Sequence, residues 1–128
     1  GVVEALTELQ KRGYLLGVCT NKPEFLAEKL LKSLGITEYF SAMLGADTLL
    51  IKKPDPLHIW TTIDWMGGYR HKAVLVGDTI TDLNTAKNAN LDCILVSFGP
   101  EGSGVENMKP SALLDSYFDL PDLIDAIL

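Results

Sequence analysis

Apolar positions along the chain switch between two spacings, three-to-four and continuous, and the switching predicts alternating helices and strands. Val2, Val3, Ala5, Leu6 and Leu9 share one helical face, and Gly13 follows Lys11-Arg12 where such a helix stops. Tyr14 to Cys19 is an unbroken apolar run and predicts a strand. It closes on Thr20-Asn21-Lys22-Pro23-Glu24, where Asn21 with Glu24 three residues on has the form of a capping box. Leu26, Leu30, Leu31 and Leu34 give the next helix an inward side, with Gly35 as its left-handed stop. Ser41 to Ala46 predicts a short third strand, and Asp47 to Lys53 has no period and reads as a loop. Asp55-Pro56 starts a helix, with Asp55 as N-cap and Pro56 at the first helical position, and Ile59, Trp60, Ile63 and Met66 form its buried side.

After Gly67-Gly68 comes Ala73-Val74-Leu75-Val76-Gly77-Asp78, an apolar strand expected to be buried on both faces and to end on a carboxylate. The helix Ile80 to Ala89 follows, with Leu83, Ala86 and Ala89 as a narrow stripe, and Asn90 takes the left-handed position that ends it. Leu91 to Ser97 is the next strand. It runs into the glycine-rich loop Phe98 to Gly104. Tyr117 lies in or near a last short strand, and Pro121 to Leu128 is a terminal helix started by Asp119. Strands alternating with helices are the mark of an α/β fold, a parallel sheet with right-handed crossovers.

Composition narrows the partners. The 128 residues carry 11 Lys and Arg against 17 Asp and Glu, a net charge of −6, and no basic cluster. Nucleic acid and anionic membranes, which both need a basic face, are therefore excluded as partners. No apolar run approaches the ~20 residues that cross a bilayer. The two cysteines, Cys19 and Cys93, lie in apolar runs and read as reduced, buried thiols, so a soluble cytoplasmic protein is expected. Nothing in the pattern sets an oligomeric state.

In an open parallel sheet, ligands sit beyond the carboxyl ends of the strands. Thr20 and Asp78 each follow an apolar strand directly, and Lys53 leaves the third, so the three are expected at one sheet edge. Gly77 removes a side chain beside Asp78, which would let a ligand or metal approach the backbone. A hydroxyl, an ammonium and a carboxylate suit a phosphoryl group with a hard cation: Thr and Lys hold its oxygens, and the carboxylate holds Mg²⁺. Taken singly, Thr20 is a strand-end hydroxyl, Asn21 an ordinary N-cap, Lys53 a loop lysine beside its rival Lys52, and Asp82 the capping-box partner of Thr79. Asp78 is harder to dismiss, since a carboxylate closing an apolar strand needs a cation or several donors. His58 and His71 have no evident carboxylate partner and read as bystanders.

Three motifs in order, Val18-Cys19-Thr20-Asn21-Lys22-Pro23, Lys52-Lys53-Pro54-Asp55-Pro56 and Val76-Gly77-Asp78-Thr79 with Asp82, resemble those of the haloacid dehalogenase superfamily, most closely its phosphoglycolate phosphatase-like branch. The resemblance implies a Mg²⁺-dependent phosphatase acting on a small phosphorylated metabolite. It assigns Thr20 and Asn21 to phosphoryl oxygens, Lys53 to the phosphate charge and the covalent intermediate, Asp78 to Mg²⁺ and Asp82 to support of that metal site. It also implies a three-layer Rossmann-like fold, a parallel sheet with helices on both faces.

The chain departs from the pattern in one main respect. The Asp-x-Asp motif that supplies the family's nucleophile is absent, as is the cap inserted after it. Residues 1–128 are therefore expected to form a partial core domain that lacks its central N-terminal strand and is inactive alone. The expected strand order is third, second, gap, Ala73 to Gly77, Leu91 to Ser97, with the gap about two interstrand spacings wide, roughly 9 to 10 Å. Direct pairing of residues 15–19 with 74–77 would instead indicate a self-sufficient smaller domain. Other readings fit less well. A signalling receiver presents its acidic residues before Thr and Lys, the reverse of the order here; a dinucleotide-binding fold needs a Gly-x-Gly-x-x-Gly that is missing. Gly77-Asp78 suits phosphate chemistry better than dehalogenation. A phosphate-binding module that kept the anion site without a nucleophile is the remaining alternative.

Overall fold

A computed structural model of the chain describes all residues except Glu101 and the side chain of Ser103. Glu101 belongs to the glycine-rich loop expected at Phe98 to Gly104, and that part of the loop lies outside the described residues. In order, the elements are α1 (Val2–Lys11), β1 (Gly17–Cys19), α2 (Glu24–Leu34), β2 (Ala42–Leu44), α3 (Pro56–Trp65), β3 (Val74–Gly77), α4 (Ile80–Asn88), β4 (Asp92–Val96), β5 (Ala112–Leu114) and α5 (Leu120–Ile127). All ladders are parallel, and they form two sheets, β1-β2 and β3-β4-β5.

Strand β4 shows how the layers are built. Because successive side chains point to opposite faces, Cys93 and Leu95 pack with Ile59, Ile63, Leu83 and Ala86 on the α3/α4 side. Ile94 and Val96 pack with Leu9, Leu114, Leu120 and Ile124 on the α1/α5 side. Helices thus cover both faces. Both cysteines are free, and burial pushes the Cys93 thiol up to about 12, so it packs as a small inert hydrophobe.

β1 and β3 share no ladder. Between them lies a cavity of about 700 Å³, walled by Leu16 and Val18 on one side and Val74 and Val76 on the other, with Leu6, Leu9, Ile59 and Ile63 closing its faces. Two expectations for the strands are corrected. Strand β1 begins at Gly17 rather than Tyr14, since the Tyr14 N–H is used on the Leu9 carbonyl at the end of α1 (3.1 Å) and the ladder with β2 opens at Gly17 opposite Ala42, just after the Ser41 N–H donates to the Leu16 carbonyl (2.8 Å). Strand β3 is not buried throughout. Leu75 is buried, but Val76 is exposed, whereas the last four residues of β4, between two partners, are all buried.

The helix ends confirm some signals and correct others. Asp55 caps α3, its carboxylate accepting from the Leu57 N–H at 2.9 Å, and Gly35 and Asn90 take left-handed backbone. The Asn21–Glu24 capping box does not form. Pro23 occupies the N-cap position, and the Glu24 N–H donates instead to Asp47 Oδ1 (2.8 Å) across the β2–α3 loop. Asp119 makes no side-chain cap on α5; Ser116 caps the preceding 3-10 turn. The inward leucine side of α2 is also corrected: Leu26, Leu30 and Leu34 are 44, 46 and 58% exposed, and Ala27 is its one buried residue. Beneath α2 the sheet is only two strands wide, so the helix rests on its narrow alanine ridge.

Candidate active site

The turn after β1 and the loop after β2 are fastened together by one side chain. Asn21 Nδ2 donates to the Lys53 carbonyl at 3.0 Å, and the Lys53 N–H donates to Asn21 Oδ1 at 3.1 Å. This two-point clasp, rather than a helix cap, is the work of Asn21. Thr20, held by its own N–H on the Leu44 carbonyl (2.9 Å), accepts the Lys22 N–H on Oγ1 (3.1 Å). Its hydroxyl proton has no acceptor among the described residues, so it is available as a donor beyond the end of the strand.

From this clasp Lys53 reaches across to the second sheet. Its Nζ lies 2.6 Å from Asp82 Oδ1, an ion pair whose side chains are only 10% and 7% exposed. Asp82 Oδ2 accepts from the N–H groups of Asp78 (3.0 Å) and Thr79 (3.2 Å) and from Thr79 Oγ1 (3.2 Å). The capping box with Thr79 expected as the structural reading of Asp82 is present. Both oxygens of Asp82 are thus engaged, and it is Asp82, not an external ligand, that fills the space left by Gly77: a Cβ there would overlap the Asp82 carboxylate.

The two carboxyls are displaced in opposite directions. Burial alone would raise that of Asp82, but the Lys53 ammonium and the two backbone donors outweigh it and hold it below the ordinary range. Asp78 lies above its ordinary value, through burial first and the neighbouring Asp82 charge second. A part-buried carboxylate beside another negative charge is suited to a cation. Among the described residues no group of three or more His, Cys, Asp or Glu could hold a metal, and Asp78 is the carboxylate of this site that could hold one, since both Asp82 oxygens are engaged. That fits Mg²⁺, which uses one or two carboxylates with waters and substrate phosphate, better than Zn²⁺ or Ca²⁺, which require fuller protein cages.

Thr20, Lys53 and Asp78, the three residues expected at one edge, are therefore linked with Asn21 and Asp82 in a path, Thr20-Asn21 to Lys53 to Asp82 to Asp78, across the carboxyl ends of β1 and β3. The profile of the haloacid dehalogenase-like hydrolases matches residues 1–96. The chain belongs to this family.

Similarity to individual haloacid dehalogenase-like hydrolases runs along the whole chain. It is 44% identical over 119 residues to a phosphoglycolate phosphatase of Mesorhizobium japonicum, covering 93% of this chain and 52% of that protein. Among solved structures it superposes on a predicted phosphoglycolate phosphatase of Haemophilus somnus with a TM-score of 0.86 at 30% identity, covering 95% of this chain and 55% of that one. CbbY of Rhodobacter sphaeroides, solved with phosphate, gives 0.80 at 28% identity, with 94% and 54% coverage. The chain spans about half the length of the curated relatives it matches.

Two residues that hold the elements around this haloacid dehalogenase-like site in place were not singled out in the sequence. Asp47 caps α2 from the loop that also carries Lys53, although it stands in a stretch without periodicity. His58, read as a bystander, is fully buried, with Nε2 2.9 Å from the Gly45 carbonyl at the end of β2. A carbonyl only accepts, so Nε2 carries the hydrogen. Burial holds the imidazole below its ordinary pKa and hence neutral. Its Nδ1 is buried without a partner among the described residues. The one available signal was position, since His58 adjoins the buried Ile59 and stands one helical turn before Thr62, whose hydroxyl donates to the His58 carbonyl.

Proposed function

We propose that this chain is the phosphate- and cation-handling part of a Mg²⁺-dependent phosphomonoester hydrolase of the phosphoglycolate phosphatase type. Turnover would pass through an aspartyl-phosphate formed on a carboxylate that these residues do not include. The observation that carries the reading is the hydrogen-bonded path from Asn21 through Lys53 and Asp82 to Asp78, which spans the mouth of the slot between β1 and β3.

Each group then has a physical task. The Thr20 hydroxyl donates to one phosphoryl oxygen and the Lys53 ammonium balances the dianion, while Asn21 fixes the backbone on which Lys53 stands. Asp82 orients Lys53 and the first turn of α4, and supports the metal from behind without direct ligation. Asp78 would hold Mg²⁺, which when bound polarises the phosphoryl oxygens and offsets charge on them. A strand inserted in the slot, parallel like all the others, would end between Thr20 and Asp78. A carboxylate at its end would face phosphorus in line with the leaving group. The substrate is a small phosphorylated metabolite in the cytoplasm.

The test is phosphate release, from phosphoglycolate and from an aryl phosphate, by a chain extended upstream to the length of the relatives. Lys53→Ala and Asp78→Ala should each lower its kcat/KM by roughly 100-fold or more. The 128-residue chain should show none. Turnover by these 128 residues that Asp78→Ala abolishes would place the nucleophile inside them and refute the reading, and an extended chain that binds phosphate without releasing it would favour a binding module.

A further inference from the structure

Gly99 follows β4 and is not needed for its backbone angles. The described glycines with positive φ are Gly13, Gly35, Gly67 and Gly102, and Gly99 is not among them, so its φ does not demand a glycine. Space is what excludes a side chain. A Cβ on Gly99 would lie 2.7 Å from Asp78 Cβ, 3.4 Å from Val96 Cγ2 and 3.5 Å from Asp78 Oδ2. Asp78 Cβ is bonded directly to the backbone, so it cannot swing aside as the tip of a long side chain could.

Neither partner is free to retreat. The segment carrying Gly99 is tied to the β5 side, where the Ser97 N–H donates to the Leu114 carbonyl (2.9 Å) and Ser97 Oγ to Asp115 Oδ1 (2.6 Å). Phe98 meets Tyr117 edge-on with ring centres 4.9 Å apart, and the Gly102 N–H closes a turn on the Gly99 carbonyl at 2.9 Å. On the other side, Gly77, just before Asp78, is registered against Leu95 in the β3–β4 ladder, and the Asp78 N–H is bound to Asp82. The two strand ends are thus pressed together with room for a hydrogen and no more.

We propose that Gly99 is a positioning residue for the Asp78 carboxylate, its missing side chain forming the wall against which Asp78 is set. The proposal rests on the reading of Asp78 as the cation ligand. A methyl group at position 99 would push the carboxylate toward the slot and drag the Asp78 N–H away from Asp82. The defect would then appear both in cation affinity and in the stability of the α4 end.

The experiment is a double-mutant cycle by urea unfolding with Gly99→Ala, Asp78→Gly and the double variant, alongside Mn²⁺ titration followed by electron paramagnetic resonance. Gly104→Ala is the control, since a Cβ there meets nothing within 4 Å. Gly99→Ala should raise the unfolding constant at least tenfold when residue 78 is Asp and less than threefold when it is Gly, while Gly104→Ala changes it less than threefold. Should Gly99→Ala not fold at all, a folded double variant supports the proposal and an unfolded one overturns it. Equal effects in both backgrounds would also overturn it. Mn²⁺ affinity should fall at least tenfold in Gly99→Ala, and an unchanged affinity overturns the cation part. Failure of the unsubstituted chain to bind Mn²⁺ would refute the metal reading of Asp78, an outcome distinct from an uncoupled cycle, which refutes the wall.

Discussion

The buried pair Lys53–Asp82 should respond very unequally to loss of one partner or the other. Asp82→Ala leaves the Lys53 ammonium, 10% exposed, with its 2.6 Å counter-ion gone, a situation that costs about 3 to 5 kcal/mol. It also removes the carboxylate that accepts the Asp78 and Thr79 N–H groups, a capping loss of about 1 kcal/mol. The sum, about 4 to 6 kcal/mol, approaches the whole stability of a small domain, about 5 to 15 kcal/mol. Lys53→Met is milder. Asp82 keeps three donors, so only one charge-assisted hydrogen bond is lost, worth about 1.5 to 3 kcal/mol. The double variant has no stranded charge and should be at least ~1.5 kcal/mol more stable than Asp82→Ala alone. Urea unfolding at pH 7 by far-ultraviolet circular dichroism, with midpoints compared at constant slope, measures all three. A double variant no more stable than Asp82→Ala would refute the claim that a stranded Lys53 drives the loss. The sign with pH is set by the depressed Asp82 carboxyl: its stabilisation is complete above the ordinary aspartate value of 3.8 and is lost as pH falls through the lower native value. The penalty of Lys53→Met should therefore shrink in that acid window and stay constant above it.

Asp78 carries the opposite sign: its raised carboxyl makes the folded state less favourable as pH climbs from 3.8 through the native value, so Asp78→Asn should stabilise the chain near pH 7 in the absence of divalent cations. Mg²⁺ at ten times its dissociation constant should stabilise the unsubstituted chain by about 1.4 kcal/mol and leave Asp78→Asn unmoved, as read by thermal unfolding. Asn21→Ala removes both clasp bonds to the Lys53 backbone, but at an exposed site, so unfolding should cost about 1 kcal/mol while phosphate release by the extended enzyme falls much further. His58→Leu should cost about 1 to 3 kcal/mol through the unpaired Gly45 carbonyl, and nuclear magnetic resonance of the parent chain should show the hydrogen on Nε2 with no titration near pH 6.5.

Signals that depend on a few neighbouring residues were readable in advance. The Asp55-Pro56 start, the Gly35 and Asn90 stops and the carboxyl-end placement of Thr20, Lys53 and Asp78 need only local backbone chemistry and the direction of a parallel strand. What failed required knowledge of partners far along the chain. Asn21 has the sequence form of a helix cap, yet its amide is used 32 residues away on Lys53. The cap of Glu24 comes from Asp47, in a loop whose lack of period gave no reason to single it out. The leucines of α2 follow a helical period faithfully, but a period says which residues share a face and not how wide the surface beneath that face is.

The slot and the site are two consequences of one arrangement. In a parallel sheet a strand with one neighbour leaves half of its backbone donors and acceptors unpaired, and both β1 and β3 do so on the sides that face each other. Most residues lining the gap are apolar, among them Leu16, Val18, Val74, Val76, Leu6 and Ile59, so water there is poorly held and, on the proposed reading, a strand with apolar side chains on both faces would be the complementary occupant. On the proposed reading, a strand entering the slot parallel to its neighbours would end between Thr20 and Asp78, the point where the Lys53–Asp82 pair bridges the sheets. Burying Lys53 against Asp82 is costly when only these elements are present, since desolvation offsets much of the attraction. On the proposed phosphatase reading it would become useful when a phosphoryl dianion arrives at the mouth of the slot, because the ammonium is then already ordered and held within reach, and the pair would serve as preorganisation for an anion rather than as a stabiliser of the fold.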